Sequence, residues 1–333
     1  MRILLAAILV AALGWSAYWW VGARAVDREI VTWLDQRHQS GWVANYSDLE
    51  TAGFPNRFDT TLTDLELVDP TTGVAWTAPF FQIFRLSYTP THVIAVWPKT
   101  QMIATPNQKI TINAEDARAS LVFEDASEWG LDRSNFSGQV ISFQSDKGWT
   151  ADIGSVALAT RPSERVEGAV DVGLNATTIR PASSALGQLA DMGIVPGSLD
   201  HIQIDASISF DAPWDRNAVE VGRPNITAID LHVLKSKWGK LDLWAAGTLT
   251  IDATGRPTGS ITVKAKNWRE MLQLAQATNW LPESLVAPLE SGLGLLATLS
   301  GSKETLDAPL TFRDGQISFG PIPLGPAPVF RMR

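Results

Sequence analysis

The chain has 333 residues, a formal net charge of −8 at pH 7 and no cysteine. The acidic charge argues against a nucleic-acid partner, because phosphate binding needs clustered Lys and Arg side chains. The missing cysteines exclude disulfides, thiolate metal sites and a cysteine nucleophile, while 45 % hydrophobic residues are enough for a large core.

The first element is an uncharged stretch of nineteen residues, Ile3–Val21. As a helix that rises about 1.5 Å per residue, it nearly matches the roughly 30 Å thickness of bilayer hydrocarbon. Aromatic side chains that favour the membrane–water boundary cluster at its second end: Trp15, Tyr18, Trp19 and Trp20. The stretch is therefore predicted to be a transmembrane helix.

The fate of this stretch has two leading interpretations. The segment Ala23-Arg24-Ala25 has the small-x-small pattern of a cleavage site, which would make the stretch a removed secretory signal. The helical period, however, continues over residues 26–39, and a helix would deny a peptidase its extended substrate. We therefore favour an uncleaved anchor, residues 1–39, over a removed signal and over a buried core helix.

Either leading interpretation places residues 40–333 outside the cytoplasm. A large exported domain without disulfides is typical of a bacterial envelope. We expect a single-pass protein of the bacterial inner membrane, with its N-terminus in the cytoplasm and its body in the periplasm.

After the anchor, the pattern is mostly extended. Trp42–Glu50 predicts a first strand, and the break at Gly53–Asp59 predicts a turn, with a tight corner that pairs Arg57 with Asp59 as the less favoured alternative. Short strands are predicted within residues 60–97 and at Lys109–Ala114, Ala119–Phe123, Gln139–Ser145, Ser155–Ala159 and Val166–Leu174. Ser183–Met192 predicts a short helix.

The clearest pattern lies in residues 201–265, where four successive runs alternate apolar and polar side chains. Such alternation predicts an antiparallel meander with one apolar and one wet face. The apolar face is the candidate groove for acyl chains, with the alternative that the same side chains are ordinary core. Its candidate residues are Ile202, Ile204, Ile208, Leu231, Leu241, Leu243 and Leu249.

The last part of the chain mixes helices with a hairpin. A helix at 267–277 is predicted, with Asn267 as its cap, and a second at 282–289, which Pro288 should end or kink. Asp314-Gly315 predicts the turn of a hairpin over Leu306–Phe319. The Pro-rich ending, 320–328, predicts an extended edge or cap rather than a ladder strand.

These elements predict a mainly β fold with a few helices, in which a transmembrane helix is followed by a long curved antiparallel sheet. The predicted domains are the anchor with its helical extension, 1–39, and one β-rich body, 40–333, with a sub-boundary near residues 180–200.

Chemistry-bearing motifs are scarce. The four histidines are scattered and read as surface residues, and Ser300-Gly-Ser-Lys303 matches Ser-x-x-Lys only by chance in a polar turn. We expect no catalytic residue, no metal and no cofactor. One basic cluster, Lys235, Lys237, Trp238 and Lys240, is a candidate contact for anionic lipid head groups, with a solvated hairpin tip as the favoured alternative.

Several of these features together resemble one known group. They are the N-terminal anchor, the Gly53-Phe-Pro-Asn-Arg57 corner, the extended Trp76-Thr-Ala-Pro79 segment and the ending Phe312–Pro328. The chain looks like the alphaproteobacterial domain-of-unknown-function family 2125 over nearly its whole length, which implies no known activity and no catalytic residues. By architecture alone it is also similar to AsmA-like envelope proteins, which are associated with lipid transport.

The function hypotheses follow from these features. The first is a non-enzymatic protein that binds or passes acyl chains along the apolar sheet face, with the inner membrane and a lipid as its partners. The second is an envelope scaffold that binds another protein through a sheet edge or the Pro-rich tail. An envelope hydrolase is the third and least favoured.

Overall fold

The computed structural model describes residues 1–125, 129–182, 196–220, 222–277, 283–299 and 301–331. The helix predicted at Ser183–Met192 lies outside these residues. The chain forms two compact units, one of Met1–Ser127 with Phe136–Gly148 and one of Glu128–Asn135 with Trp149–Arg333. The predicted sub-boundary near residues 180–200 falls within the second unit.

The first unit begins with α1 (Arg2–Gln39), one continuous helix of 38 residues. It ends before Gly41, whose φ of +86° is a left-handed conformation that suits glycine after a helix. The helix is long and apolar enough to cross a membrane, and it fits either a single-pass anchor or a signal sequence. The predicted apolar stretch and its extension are therefore one element.

Antiparallel strands complete the first unit. The short β1 and β2 both pair with β3, β3 pairs with β4, and β5 and β6 each pair with both β4 and β7. β8 contributes residues to both units. The strands are β1 (Val43–Asn45), β2 (Asp48–Ala52), β3 (Arg57–Asp69), β4 (Val74–Leu86), β5 (Thr89–Val96), β6 (Thr100–Ala104), β7 (Lys109–Phe123) and β8 (Leu131–Ser145).

The second unit is an antiparallel meander in which each strand from β9 to β17 pairs with the next. The strands are β9 (Thr150–Pro162), β10 (Ala169–Arg180), β11 (Leu199–Phe210), β12 (Ile226–Trp238), β13 (Leu241–Ile251), β14 (Pro257–Lys266), β15 (Thr305–Arg313), β16 (Gln316–Phe319) and β17 (Ile322–Pro326). The helices are α2 (Arg216–Glu220), α3 (Trp268–Ala277) and α4 (Glu283–Leu299). The predicted mainly β class with an N-terminal apolar helix is confirmed.

Several predicted strand boundaries are wrong, in both directions. The run predicted as one strand over Trp42–Glu50 is divided between β1 and β2. Conversely, Lys109–Ala114 and Ala119–Phe123 both belong to β7, which continues through Asp116 although that residue has φ +52°. The strand changes partner around this residue, because it pairs with β6 up to Asn113 and with β5 from Arg118.

The helical predictions near the C-terminus also need correction. The helix α4 continues to Leu299 past Pro288, because Leu289, Leu293 and Ala297, spaced four apart, are buried on one face. At the start of α3 the Glu270 N–H donates to the backbone carbonyl of Asn267 at 3.0 Å rather than to its side chain, and the Asn267 amide nitrogen donates to the Lys240 carbonyl at 2.5 Å.

The C-terminal hairpin is confirmed, and the Pro-rich ending departs from its prediction. Asp314 and Gly315 have φ of +53° and +71°, as the turn between β15 and β16 requires. The ending does form a ladder strand, β17, which pairs antiparallel with β16.

The packing of α1 divides the helix into an exposed and a docked part. Ile3, Leu9 and Leu13 are exposed near its beginning, whereas Ala23, Val26 and Leu34 are buried. The docked residues belong to two hydrophobic clusters, one around Phe58 and one around Leu62 and Leu65 of β3. Half of the predicted anchor is therefore part of the core of the first unit.

Replacing Gly22 by Leu should loosen this docking. A Cβ on Gly22 would lie 2.5 Å from Cζ of the buried Phe58 ring, whereas a Cβ on Gly14 would meet no atom within 4 Å. We expect Gly22→Leu to lower the free energy of unfolding by about 1–3 kcal/mol through overpacking. Gly14→Leu is the matched control and should cause no loss. Denaturant unfolding of the full chain in detergent measures both, and equal effects would contradict the docking.

Candidate functional site

The first candidate site is the corner formed by Gly53–Asp59 against α1. Phe58 is buried beside Ala23 and Val26, and the Trp19 ring lies between the rings of Phe54 and Phe58, with centroid distances of 5.5 and 6.0 Å. The Trp19 side chain of α1 therefore packs against the corner.

Hydrogen bonds reinforce this contact. Three aromatic side chains on α1 donate hydrogen bonds to backbone carbonyls at the ends of strands. The helix therefore satisfies carbonyl oxygens that have no partner in the β ladder. The bonds join Trp15 Nε1 to the Pro55 carbonyl (3.0 Å), Tyr18 Oη to the Ser87 carbonyl (2.7 Å) and Trp19 Nε1 to the Arg57 carbonyl (2.8 Å).

Charged groups at the corner are also arranged. Arg57 forms an ion pair with Asp59, so the tight-corner interpretation is correct and the simple turn is not sufficient. Arg85 lies with its guanidinium 5.5 Å from the Phe58 ring centroid. Burial lowers the pKa of Arg85 from its ordinary value, and the charge of Glu29 offsets part of that effect.

The second candidate site is the apolar face of the β9–β15 sheet. All seven candidate groove residues lie on this one face, because the register pairs them with one another or with neighbours of the same phase. Leu241 and Leu249 are buried, while Ile202, Ile204, Ile208, Leu231 and Leu243 are only half-buried.

The strand registers extend the face well beyond those seven residues. One row of direct cross-strand neighbours runs over seven strands, a width of about 29 Å at the usual 4.8 Å strand spacing. Its members are Leu158, Leu174, Ile204, Leu234, Ala245, Val263 and Ala308. At the β13–β15 end, α3 and α4 pack on the face through Trp268, Leu289 and Leu293.

A bulge in β12 keeps the face continuous. Asp205 pairs with Val233 and Ala206 with Leu231, so His232 is an extra residue and the phase of β12 reverses there. The apolar face consequently uses Leu231 before the bulge and Leu234 after it, whereas simple alternation predicts Val233.

The basic cluster occupies the hairpin tip between β12 and β13. Trp238 donates through Nε1 to the Pro196 carbonyl at 2.7 Å, which packs it into the tip, while Lys235, Lys237 and Lys240 are exposed. The exposed aromatic ring on this wet face is Trp244, which the sequence reading passed over. Its direct cross-strand neighbours are Lys235 and Lys264.

A polar cluster that the sequence reading missed lies on the wet face of β10–β12. The hydroxyl of Ser207 donates to Asp171 Oδ1 at 2.6 Å and lies 2.8 Å from His232 Nε2. Ser207 is 2 % exposed. His232 is half-buried rather than fully exposed, because the bulge that inserts it also turns its ring onto Ser207.

The cluster contains a serine, a histidine and carboxylates, yet its hydrogen bonds run against a nucleophilic serine. Hydrogen bonds from Ser163 and Ser207 and the charges of Arg165 and Arg161 hold the pKa of Asp171 below its usual value, although burial opposes them. The carboxylate accepts a hydrogen bond from the Ser207 hydroxyl, which leaves a Ser207 lone pair to accept one from an N–H at His232 Nε2. The arrangement is suited to a structural role, in which these hydrogen bonds link β10, β11 and β12.

The remaining sites offer less chemistry. A groove of about 410 Å³ in the first unit is lined by β3, β4, β6 and β7, chiefly with threonine, alanine and leucine side chains around Asp64 and Glu66. Among the described residues, no group of three or more His, Asp or Glu side chains is placed to hold a metal ion.

Together the fold and these sites define a β-rich protein with an N-terminal helix suited to a membrane and a wide apolar sheet face. The chain belongs to the family described as uncharacterized protein conserved in bacteria (DUF2125), whose model matches residues 19–328. The resemblance inferred from the corner and ending motifs is confirmed. No curated protein and no solved structure matches the chain.

The start of the family match coincides with the docked part of α1. The match begins at Trp19, the residue whose ring contacts Phe54 and Phe58, and it includes Ala23, Val26 and the rest of the helix. The docked half of α1 is thus part of the sequence that defines the family.

Ser207→Ala should destabilise the second unit, because it removes the hydrogen bond to Asp171 Oδ1 and the buried partner of His232 Nε2. The expected loss in unfolding free energy is about 1–3 kcal/mol. Ser209→Ala, two residues along the same face and without a hydrogen bond to lose, should change it by less than about 0.5 kcal/mol. Denaturant unfolding measures the unfolding free energy of both variants. Equal losses would show that the hydrogen bonds of Ser207 do not stabilise the pairing of these strands.

The low pKa of Asp171 also predicts a pH dependence. A depressed folded-state pKa contributes stability that is present above the ordinary value of 3.8 and is lost as the pH falls below it. Asp171→Asn should therefore lower the melting temperature at pH 7 and flatten its decline below about pH 4. Melting curves of both proteins across this pH range test the prediction, and parallel declines would refute it.

Proposed function

We propose that the protein is an uncleaved, membrane-anchored, non-enzymatic protein whose apolar sheet face in the second unit holds acyl chains of membrane lipids. The observation that carries the proposal is the row of aliphatic side chains that crosses seven strands without a polar interruption and is half-buried on β9 to β14. The four strands that α3 and α4 leave uncovered, β9–β12, span about 14 Å at the usual 4.8 Å strand spacing, which is close to the span of an acyl chain in one leaflet, about half of the 30 Å hydrocarbon thickness.

Burial supports the proposal for part of the face. The side chains at the β13–β15 end are covered by α3 and α4 and serve as ordinary core. Those on β11 and β12, including Ile202, Ile204 and Leu231, retain exposed area, and exposed aliphatic surface of this extent favours a ligand or partner.

The anchor supports the lipid as occupant. An uncleaved α1 keeps the protein at the source of its ligand, and cleavage near Ala25 would remove Trp19 and Ala23 from the cluster around Phe58. The exposed lysines around Trp244 supply positive charge on the opposite face, where each Lys near an anionic surface contributes on the order of 1 kcal/mol. We also propose that the body lies in the periplasm, as expected for a large exported domain without cysteine.

Photo-crosslinking tests this function directly. The full chain is reconstituted in vesicles that contain a phospholipid with a diazirine on its acyl chain, and the crosslinked peptides are identified by mass spectrometry. We expect crosslinks on β11–β13 as well as on α1. Crosslinks on α1 alone would contradict acyl-chain binding and would favour the envelope scaffold, which acts through protein contacts.

A matched pair of variants sharpens the test. Ile204→Glu places a carboxylate on the apolar face and should reduce crosslinking to β11–β13 several-fold, because an unpaired charge is costly beside an acyl chain. Gln203→Glu introduces the same group on the neighbouring residue, which faces the other way, and should leave crosslinking unchanged. Circular dichroism verifies that both variants are folded.

A further inference from the structure

The Gly53–Asp59 corner contacts residues of α1 that the helix needs if it is to cross the bilayer. Residues 3–14 alone extend only about 18 Å, well short of the roughly 30 Å of bilayer hydrocarbon. A helix that crosses the bilayer must therefore also use residues 15–21. Trp15 and Trp19 are hydrogen-bonded to Pro55 and Arg57, so these parts of the corner must lie at the depth of residues 15–19.

The surface of the corner has the chemistry of a membrane-inserted loop. It carries two large exposed aromatic side chains, since Phe54 is 55 % exposed and Tyr88 on the adjacent turn is 62 % exposed. The exposed guanidinium of Arg57 is paired with the carboxylate of Asp59. Aromatic side chains of this kind favour the membrane–water boundary. The next charged residue of the helix is Arg24, whose guanidinium lies 5.2 Å from the Trp20 ring centroid, which marks the polar side of that boundary.

Most backbone carbonyls of the corner have a hydrogen-bond partner within the protein, as a lipid environment favours. Unpaired backbone groups are costly in hydrocarbon but not in water, where the solvent can satisfy them. Five carbonyls of the corner and the adjacent turn accept hydrogen bonds from within the first unit. The acceptors are Gly53 (from Arg57 N–H, 2.9 Å), Asn56 (from Ser87 N–H, 2.8 Å), Pro55, Arg57 and Ser87, the last three from the aromatic side chains of α1.

We propose that the Gly53–Arg57 corner and the Ser87–Tyr88 turn insert into the lipid bilayer beside α1, with the side chains of Phe54 and Tyr88 among the lipids. The first unit is then held by the membrane at two elements, the helix and the sheet corner. The start of β3 and the end of β4 lie at the bilayer. The helix therefore cannot rotate freely relative to the rest of the first unit. This inference rests on α1 spanning the membrane and is independent of acyl-chain binding by the second unit.

The absence of cysteine makes a depth measurement straightforward, because single cysteines can be introduced without removing others. A bimane fluorophore is attached to a single cysteine in each of three variants, Phe54→Cys, Tyr88→Cys and Asn56→Cys. The Asn56→Cys variant retains Phe54 and so reports on the corner even if loss of the Phe54 ring disturbs it. Ile8→Cys in the exposed part of α1 marks the bilayer interior. Asn107→Cys, in the β6–β7 turn about 35 Å along β4 from the corner, marks the aqueous side.

The labelled full-length proteins are reconstituted in vesicles of phosphatidylcholine and phosphatidylglycerol. We expect nitroxide spin labels on the lipid acyl chains to remove most of the fluorescence at positions 8, 54, 56 and 88, and aqueous iodide to quench only position 107. Quenching of position 8 by the lipid and of the three corner positions by iodide would overturn the corner insertion alone. Iodide quenching of all five would overturn the spanning helix and the insertion together.

Discussion

The first unit depends on the hydrogen bonds and ring contacts through which α1 holds the Gly53–Asp59 corner. An apolar helix could lie on a sheet in many positions, because hydrophobic contact has no direction. Donors on Trp15, Tyr18 and Trp19 that meet specific carbonyls select one position. The close approach of Gly22 to Phe58 then leaves no space for a side chain at that point of the helix. A segment that composition alone identifies as a membrane helix is thereby also a structural element of the folded unit.

The second unit depends on a different constraint, which is the register of its strands. A shift of one residue in any strand would move its aliphatic side chains to the wet face. The bulge at His232 is compatible with a continuous apolar face only because both neighbouring strands pair across it in the same way. The buried contact between Ser207, Asp171 and His232 holds that bulge from the opposite face. Polar and apolar faces thus stabilise each other, and the apolar row proposed to bind acyl chains depends on a polar cluster beneath it.

The sequence predicts these features to different degrees. Alternation over residues 201–265 correctly places the seven candidate groove residues on one face, because period-two patterning is a local property of a strand. It cannot reveal which side chains stay exposed, since α3 and α4 cover Leu243 but belong to a distant segment. It also misses the His232 bulge and its contact with Ser207, which arise from pairing between strands. The continuation of α4 past Pro288 has the same origin, because tertiary packing of Leu289 and Leu293 outweighs a local helix-breaking signal.

The central claim is that the docked half of α1 remains in the mature protein as a part of its fold. The intact mass of the protein isolated from its native membranes tests this most directly. The account predicts a mass that includes residues 19–25, which carry the Trp19, Gly22 and Ala23 contacts to Phe58. A mature protein that begins after Ala25 would contradict the account, because the cluster around Phe58 and the hydrogen bonds to Pro55, Arg57 and Ser87 would then be lost.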